Sequence, residues 1–152
     1  MAHPPCRAWG RLRHFARPRH DEKQLAFFAV EKVRKFGGVL EHPAHSTLWA
    51  AAGLPAVGEV DAFGGWTLPI SQHWWGHRAE KMTWLYIVGC LPKRLPDLPI
   101  VLGEATHTIS SSGRRRDGSR LKSRPEVSKA EREHTPPALA AWLVELAARC
   151  RG

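Results

Sequence analysis

Between Asp21 and Phe36 the chain places Leu25, Phe28, Ala29, Val33 and Phe36 at intervals of 0, +3, +4, +8 and +11, with charged residues between them. That recurrence is the period of an amphipathic helix. Acidic residues at its start suit the positive end of the helix dipole, and Gly37-Gly38 supplies a stop. Val39-Leu40 then reads as a short buried strand, with Glu41-His42-Pro43 at its carboxyl end. Ser46 is placed to cap a short helix from Thr47 to Ala52, closed by Gly53. Residues 53–66 are rich in Gly, Ala and Pro and read as loop, followed by a strand over Thr67 to Gln72. After a polar, aromatic connection from His73 to Lys81, Thr83-Trp84-Leu85-Tyr86-Ile87-Val88-Gly89 is the strongest strand signal, being β-branched and aromatic. Pro92 to Pro99 is turn-rich, and Ile100-Val101-Leu102 reads as a last short strand. Residues 103–125 hold glycine, serine and arginine without apolar period, which predicts a mobile basic loop. Order returns at Thr135, which caps a helix with Pro136 and Pro137 in its first turn. Its apolar stripe is Leu139, Trp142, Leu143, Leu146, Ala147 and Cys150.

Loop, helix, strand and then a polar residue at the strand end is the rhythm of an α/β sheet. Ligands of such sheets bind beyond the carboxyl ends of the strands, so Glu41 stands where a site is expected. The 152 residues suffice for one domain with one core, and a hydrophobic fraction of 43% is ordinary for a globular chain. No apolar run has the length of a membrane span, and no signal-peptide pattern opens the chain. Cys6, Cys90 and Cys150 are widely spaced and odd in number, so a disulfide framework is not expected. A reducing, cytoplasmic setting fits them.

Charge alters this picture through its placement. The net charge is +9, and it resides in two segments. Residues 1–20 carry Arg7, Arg11, Arg13, Arg17 and Arg19 with no acid. Residues 110–124 carry Arg114, Arg115, Arg116, Arg120, Lys122 and Arg124 against Asp117 alone. Basic charge gathered in this way points to a polyanion such as nucleic acid, or to a soluble basic protein with an arginine-rich loop.

Three stretches carry candidate chemistry. Pro4-Pro5 fixes backbone torsions and removes donors, holding the Cys6 thiol on a stiff loop as a nucleophile requires. A buried, inert thiol is the plainer alternative. Glu41 is a candidate acid at a strand end, or a solvated carboxylate near the Ser46 helix. Arg78 is a candidate electrostatic group, or a surface cation. His73 and His77, with Cys90 or His42, lack the spacing of a zinc site, so no metal is expected. Trp74 and Trp75 could stack on a base, or bury against the domain.

Taken in order, Pro4-Pro5-Cys6, Glu41-His42-Pro43, and Gln72 through Arg78 leading into Tyr86-Ile87-Val88-Gly89 resemble the DNA cytosine-5 methyltransferase family. The first looks like that family's nucleophile motif. The second is similar to its Glu-Asn-Val motif, with His42 and Pro43 as departures. The third resembles its Gln-x-Arg-x-Arg motif and the following strand. Cys6 and Glu41 are 35 residues apart, which suits one helix-plus-strand crossover. The resemblance implies a partial Rossmann-like methyltransferase sheet with flanking helices. It implies that Cys6 adds to C6 of a flipped cytosine and that a protonated Glu41 assists at N3. Arg78 would hold the base carbonyl or a phosphate, and Arg7 or Arg11 would favour the thiolate. Arg7, Arg11, Arg13, Lys81, Arg114, Arg115 and Arg116 are the expected DNA contacts.

The family's cofactor is S-adenosylmethionine, held on a glycine-rich turn and an acid that both precede the nucleophile loop. Here only Met1, Ala2 and His3 precede Pro4. Phe63-Gly64-Gly65 lacks the preceding strand and following helix of a displaced copy. The resemblance therefore covers the catalytic half alone. The expectation is a longer natural protein, a second chain that supplies the cofactor half, or an inactive remnant. A non-catalytic, basic nucleic-acid-binding module is the alternative function.

Overall fold

The computed structural model describes residues 1–10, 13–110, 117, 119 and 124–150. The chain divides into two compact units: Met1–Ile70 with Met82–Asp97 and Ala141–Gly152, and Ser71–Lys81 with Leu98–Ala140. Its architecture is mixed helix and strand, in agreement with the α/β class.

The first unit is built on a three-stranded sheet in the order β1-β3-β2. These strands are β1 (Gly38–Pro43), β2 (Trp66–Ser71) and β3 (Met82–Val88). The β-rich sequence of β3 takes the centre, antiparallel to β1 from Gly38 opposite Val88 to Pro43 opposite Thr83. Before β1, Ala2 makes a parallel bridge to Leu40: its amide donates to the Val39 carbonyl (2.7 Å), and its own carbonyl accepts from Glu41 (3.0 Å). The opening residues, helix α1 (Glu22–Phe36) and β1 thus form a short parallel crossover.

The face of α1 differs from the sequence expectation. Glu22, Ala26, Val30 and Val33 are buried, whereas Leu25, Phe28 and Phe36 are 46%, 56% and 65% exposed. Both stripes have helical period. The smaller side chains permit a close approach to the sheet, and the outward rings of Phe28 and Phe36 are partly covered by the Lys32 ammonium, 4.8 and 5.7 Å from their centroids. The core joins Ala26, Val30 and Val33 to Trp9, Leu40, Leu48, Trp49, Leu54, Tyr86 and Val88. Helix α2 (Leu48–Ala51) is shorter than expected and has Thr47, not Ser46, at its cap position; Ser46 Oγ accepts from the Leu48 amide (3.1 Å) one residue before that cap.

The glycine-rich segment after α2 winds around Asp61. Its Oδ1 accepts from the amides of Phe63 (2.9 Å) and Gly65 (2.8 Å), and its Oδ2 accepts from the Tyr86 hydroxyl (2.7 Å). Burial pushes the Asp61 carboxyl upward, but Tyr86 and the two amides outweigh it and hold the group below its ordinary range. Gly65 lies against the Tyr86 ring so closely that a Cβ would overlap it.

Helix α4 (Pro137–Arg149) buries Leu139, Trp142, Leu143, Leu146 and Cys150 as the stripe predicts. Ile100-Val101-Leu102 is not a strand: it follows Pro99, has no ladder partner among the described residues, and leaves Leu102 92% exposed. The second unit contains α3 (Lys129–Glu133), opened by a capping box between Ser128 and Glu131. Within 103–125, the described ends are anchored, with His107 bridged to Ala79 and Thr108 to Glu126. Among the described residues, no helix is long and apolar enough to cross a membrane.

Candidate active site at the Cys6 loop and the end of β1

The crossover places the turn that carries Cys6 just after Ala2, beside the carboxyl half of β1. Two proline rings force residues 4 and 5 out of helical geometry. The chain then turns sharply, with the Cys6 carbonyl accepting from the amides of Trp9 (3.0 Å) and Gly10 (2.8 Å). Ala8 and Trp9 are buried, and Trp9 meets Phe27 edge to face with centroids 5.4 Å apart. The Trp9 carbonyl also accepts from the amide (3.0 Å) and hydroxyl (3.1 Å) of Thr47. The Cys6 loop is therefore held at both ends, by the Ala2 bridge and by the Trp9 anchor. Cys6 itself is half-buried and in no disulfide.

Glu41 lies within β1, not beyond the strand end as the sequence suggested, because pairing with β3 carries the strand on to Pro43, and it is 3% exposed. Its Oε2 is 2.9 Å from His3 Nδ1, on the segment that leads into the Cys6 loop. His42 is completely buried, 6.4 Å from the Trp49 ring. Burial drives its pKa down to about 4, against the opposing pull of the Glu41 carboxylate and the Pro5 carbonyl. His42 is thus a neutral imidazole at physiological pH, packed beneath the proline segment. The segment that leads into Cys6 is tied to β1 through Ala2–Leu40, His3–Glu41 and Pro5–His42.

The arginines expected to act on the thiol or on nucleic acid have these positions. Arg7 forms a bidentate pair with Glu22, its Nε 3.2 Å from Oε2 and Nη2 on Oε1. Arg7 holds the Glu22 carboxyl below its usual range and fastens the loop to the first turn of α1. Arg13 points back to the Gly10 carbonyl (3.5 Å). Arg11 and Arg114, Arg115 and Arg116 lie outside the described residues. Further along the first basic segment Arg17 and Arg19 are exposed, and Phe15 is 88% exposed beside them.

Arg78 belongs to the second unit. It forms a fork with Glu131 (2.7 and 2.6 Å) and has His107 Nε2 3.3 Å from its Nη1. The guanidinium pulls the Glu131 carboxyl down to about 2, and its own pKa is raised in return. Lys81 donates to the His134 carbonyl (3.0 Å). His77 Nδ1 accepts from the Ala79 amide (3.0 Å) while Nε2 faces the Glu131 carbonyl (3.0 Å), and His73 Nδ1 faces the His77 carbonyl (2.9 Å). These two histidines hold backbone groups. Among the described residues no cluster with metal-ligating composition is found.

The chain matches no known protein family, curated protein or solved structure.

The 61–65 turn does not fit S-adenosylmethionine. The amides of Phe63 and Gly65, which a cofactor-binding glycine turn would leave open, are taken by Asp61. No step of the chemistry below is therefore assigned to a cofactor on this chain. Sequence reasoning missed His3, Glu22 and Glu131 as partners of the candidate residues. The Ser128-x-x-Glu131 spacing was a readable cue for Glu131. His3 and Glu22 had none, because their pairings depend on the register of the crossover.

Proposed function

We propose that this chain is the catalytic part of a DNA cytosine-5 methyltransferase-like protein, built on a partial Rossmann-like sheet. The observation that carries the reading is the adjacency of the Cys6 loop and Glu41 after two parallel segments joined by α1. The resemblance assigns a thiol and a carboxyl to these two positions, and the contacts of Ala2 and His3 with β1 support that reading.

In this reading the Cys6 thiolate adds to C6 of a cytosine turned out of the helix, and the C5–C6 electron pair shifts toward C5. Glu41 protonates N3, so negative charge does not accumulate on the ring. Pro4, Pro5, Trp9 and the Arg7–Glu22 pair fix the loop against displacement. Arg13, Arg17 and Arg19 of the first basic segment supply phosphate contacts. The methyl group and the site that delivers it come from elsewhere, on a longer natural protein or on a second chain.

The thiol addition can be tested without a methyl donor. Saturating C6 makes C5 basic, so its hydrogen exchanges with water before Cys6 leaves again. DNA carrying [5-3H]cytosine releases tritium to water when incubated with the chain, and Cys6→Ala stops the release while DNA binding persists. Equal release by wild type and Cys6→Ala, with both folded and bound to DNA, refutes the reading. It would favour a basic binding module whose DNA affinity is independent of Cys6 and falls steeply with salt.

A further inference from the structure

Glu41 must exchange a proton in this reading, yet its carboxyl has almost no contact with water. Its side chain is 4% exposed, whereas that of His3, whose Nδ1 is 2.9 Å from Oε2, is 49% exposed. The contact is fixed by backbone register. Ala2 stands opposite Leu40 in a parallel bridge, so the next residue on each segment, His3 and Glu41, comes side by side. His3 thus reaches from the solvent border to a carboxyl that β1 keeps inside.

We propose that His3 is the positioning residue for Glu41 and the route by which that buried carboxyl gains and returns its proton. The proposal rests on the reading of Glu41 given above. In the forward direction the Nδ1–H bond of protonated His3 breaks as an O–H bond forms on Glu41. The carboxylic acid then gives that proton to cytosine N3 while the Cys6 sulfur bonds to C6 and the ring electrons move toward C5. Water reprotonates His3, and the same transfers run backward when Cys6 departs. No oxidant, reductant or further reactant is needed.

His42, the other histidine electrostatically coupled to Glu41, is fully buried and neutral near pH 7. Leu85, opposite Glu41 on β3, is apolar, and Arg7 is paired with Glu22. A half-exposed imidazole in contact with an interior carboxyl is suited to carry protons between it and water.

Two measurements on the full chain test the proposal. In 15N-histidine NMR, Glu41→Gln lowers the titration midpoint of the His3 ring by about one pH unit or more, the usual effect of removing an adjacent carboxylate. An unchanged midpoint means that the pair does not share a proton and overturns the proposal, whatever Cys6 does. In the tritium-release assay, His3→Gln keeps DNA affinity but slows release about tenfold, and added imidazole restores the rate, an effect on the order of general acid–base catalysis. A His3→Gln protein with the wild-type rate and pH profile overturns the relay. Coupled titration with no Cys6-dependent release in any protein refutes the catalytic reading itself, and the relay falls with it.

Discussion

Acidification should reveal His42 as a stability element. Its imidazole has an ordinary pKa of 6.5 in the unfolded chain and about 4 in the fold, because burial disfavours the charged ring. Between these values the unfolded chain binds more protons than the folded one. The stabilisation is therefore fully present above pH 6.5 and is lost as the pH falls toward 4. At about 1.4 kcal/mol per unit, the shift corresponds to roughly 3 kcal/mol. That is a large share of the 5–15 kcal/mol, roughly, that holds a typical domain folded. Urea unfolding followed by tryptophan fluorescence at several pH values between 7 and 4 would measure it. His42→Asn is the comparison, since asparagine does not titrate and stands at this place in the resembled motif. The variant is expected to be less stable at pH 7, because a smaller polar group replaces a buried ring. On acidification, however, the wild type should lose about 3 kcal/mol more than the variant. Glu22, Asp61 and Glu131 also weaken the fold when protonated, but they are common to both proteins and cancel in the difference. Parallel stability profiles for the two proteins would refute the argument, because a buried neutral imidazole cannot leave the slope unchanged.

Gly65→Ala should cost about 1–3 kcal/mol, seen as a lowered thermal midpoint, because the new methyl group overlaps the hydrogen-bonded Tyr86 ring; an unchanged midpoint would show that the turn swings away freely. Calorimetry of this chain with S-adenosylmethionine should give no micromolar dissociation constant, since the amides of the 61–65 turn already serve Asp61. A clear micromolar isotherm would contradict that assignment. Replacing Arg17 and Arg19 with alanine should weaken binding to duplex DNA and flatten its dependence on log salt by about two units, one for each lost phosphate contact; an unaltered slope would place the DNA elsewhere.

Local signals carried the sequence reading furthest. The β-branched run of β3 and the apolar stripe of α4 were legible because each element is dictated by its own residues. For α1 the existence of the helix was readable but its orientation was not. Leu25–Phe28–Phe36 and Ala26–Val30–Val33 both satisfy the period, and the choice depends on which side chains let the helix approach β1. Ile100-Val101-Leu102 has strand-forming residues without a neighbouring strand to pair with, a condition set far from the segment. At the candidate site, Cys6 and Glu41 were recognisable as residue types in order. The contacts around them were hidden: His3 on Glu41 and Arg7 on Glu22 join positions 38 and 15 residues apart, so they exist only once the crossover has fixed their register.

Tyr86 is the chain's sole tyrosine, and its phenol is locked under the 61–65 turn by Asp61. Burial, with that hydrogen bond, raises its ionisation to about 12, well above the ordinary value of 10. The protein therefore carries an optical gauge of its own assembly. Between these two pH values the folded chain keeps a colourless phenol at 295 nm, and any molecule whose turn has lifted from the sheet shows phenolate absorbance at once.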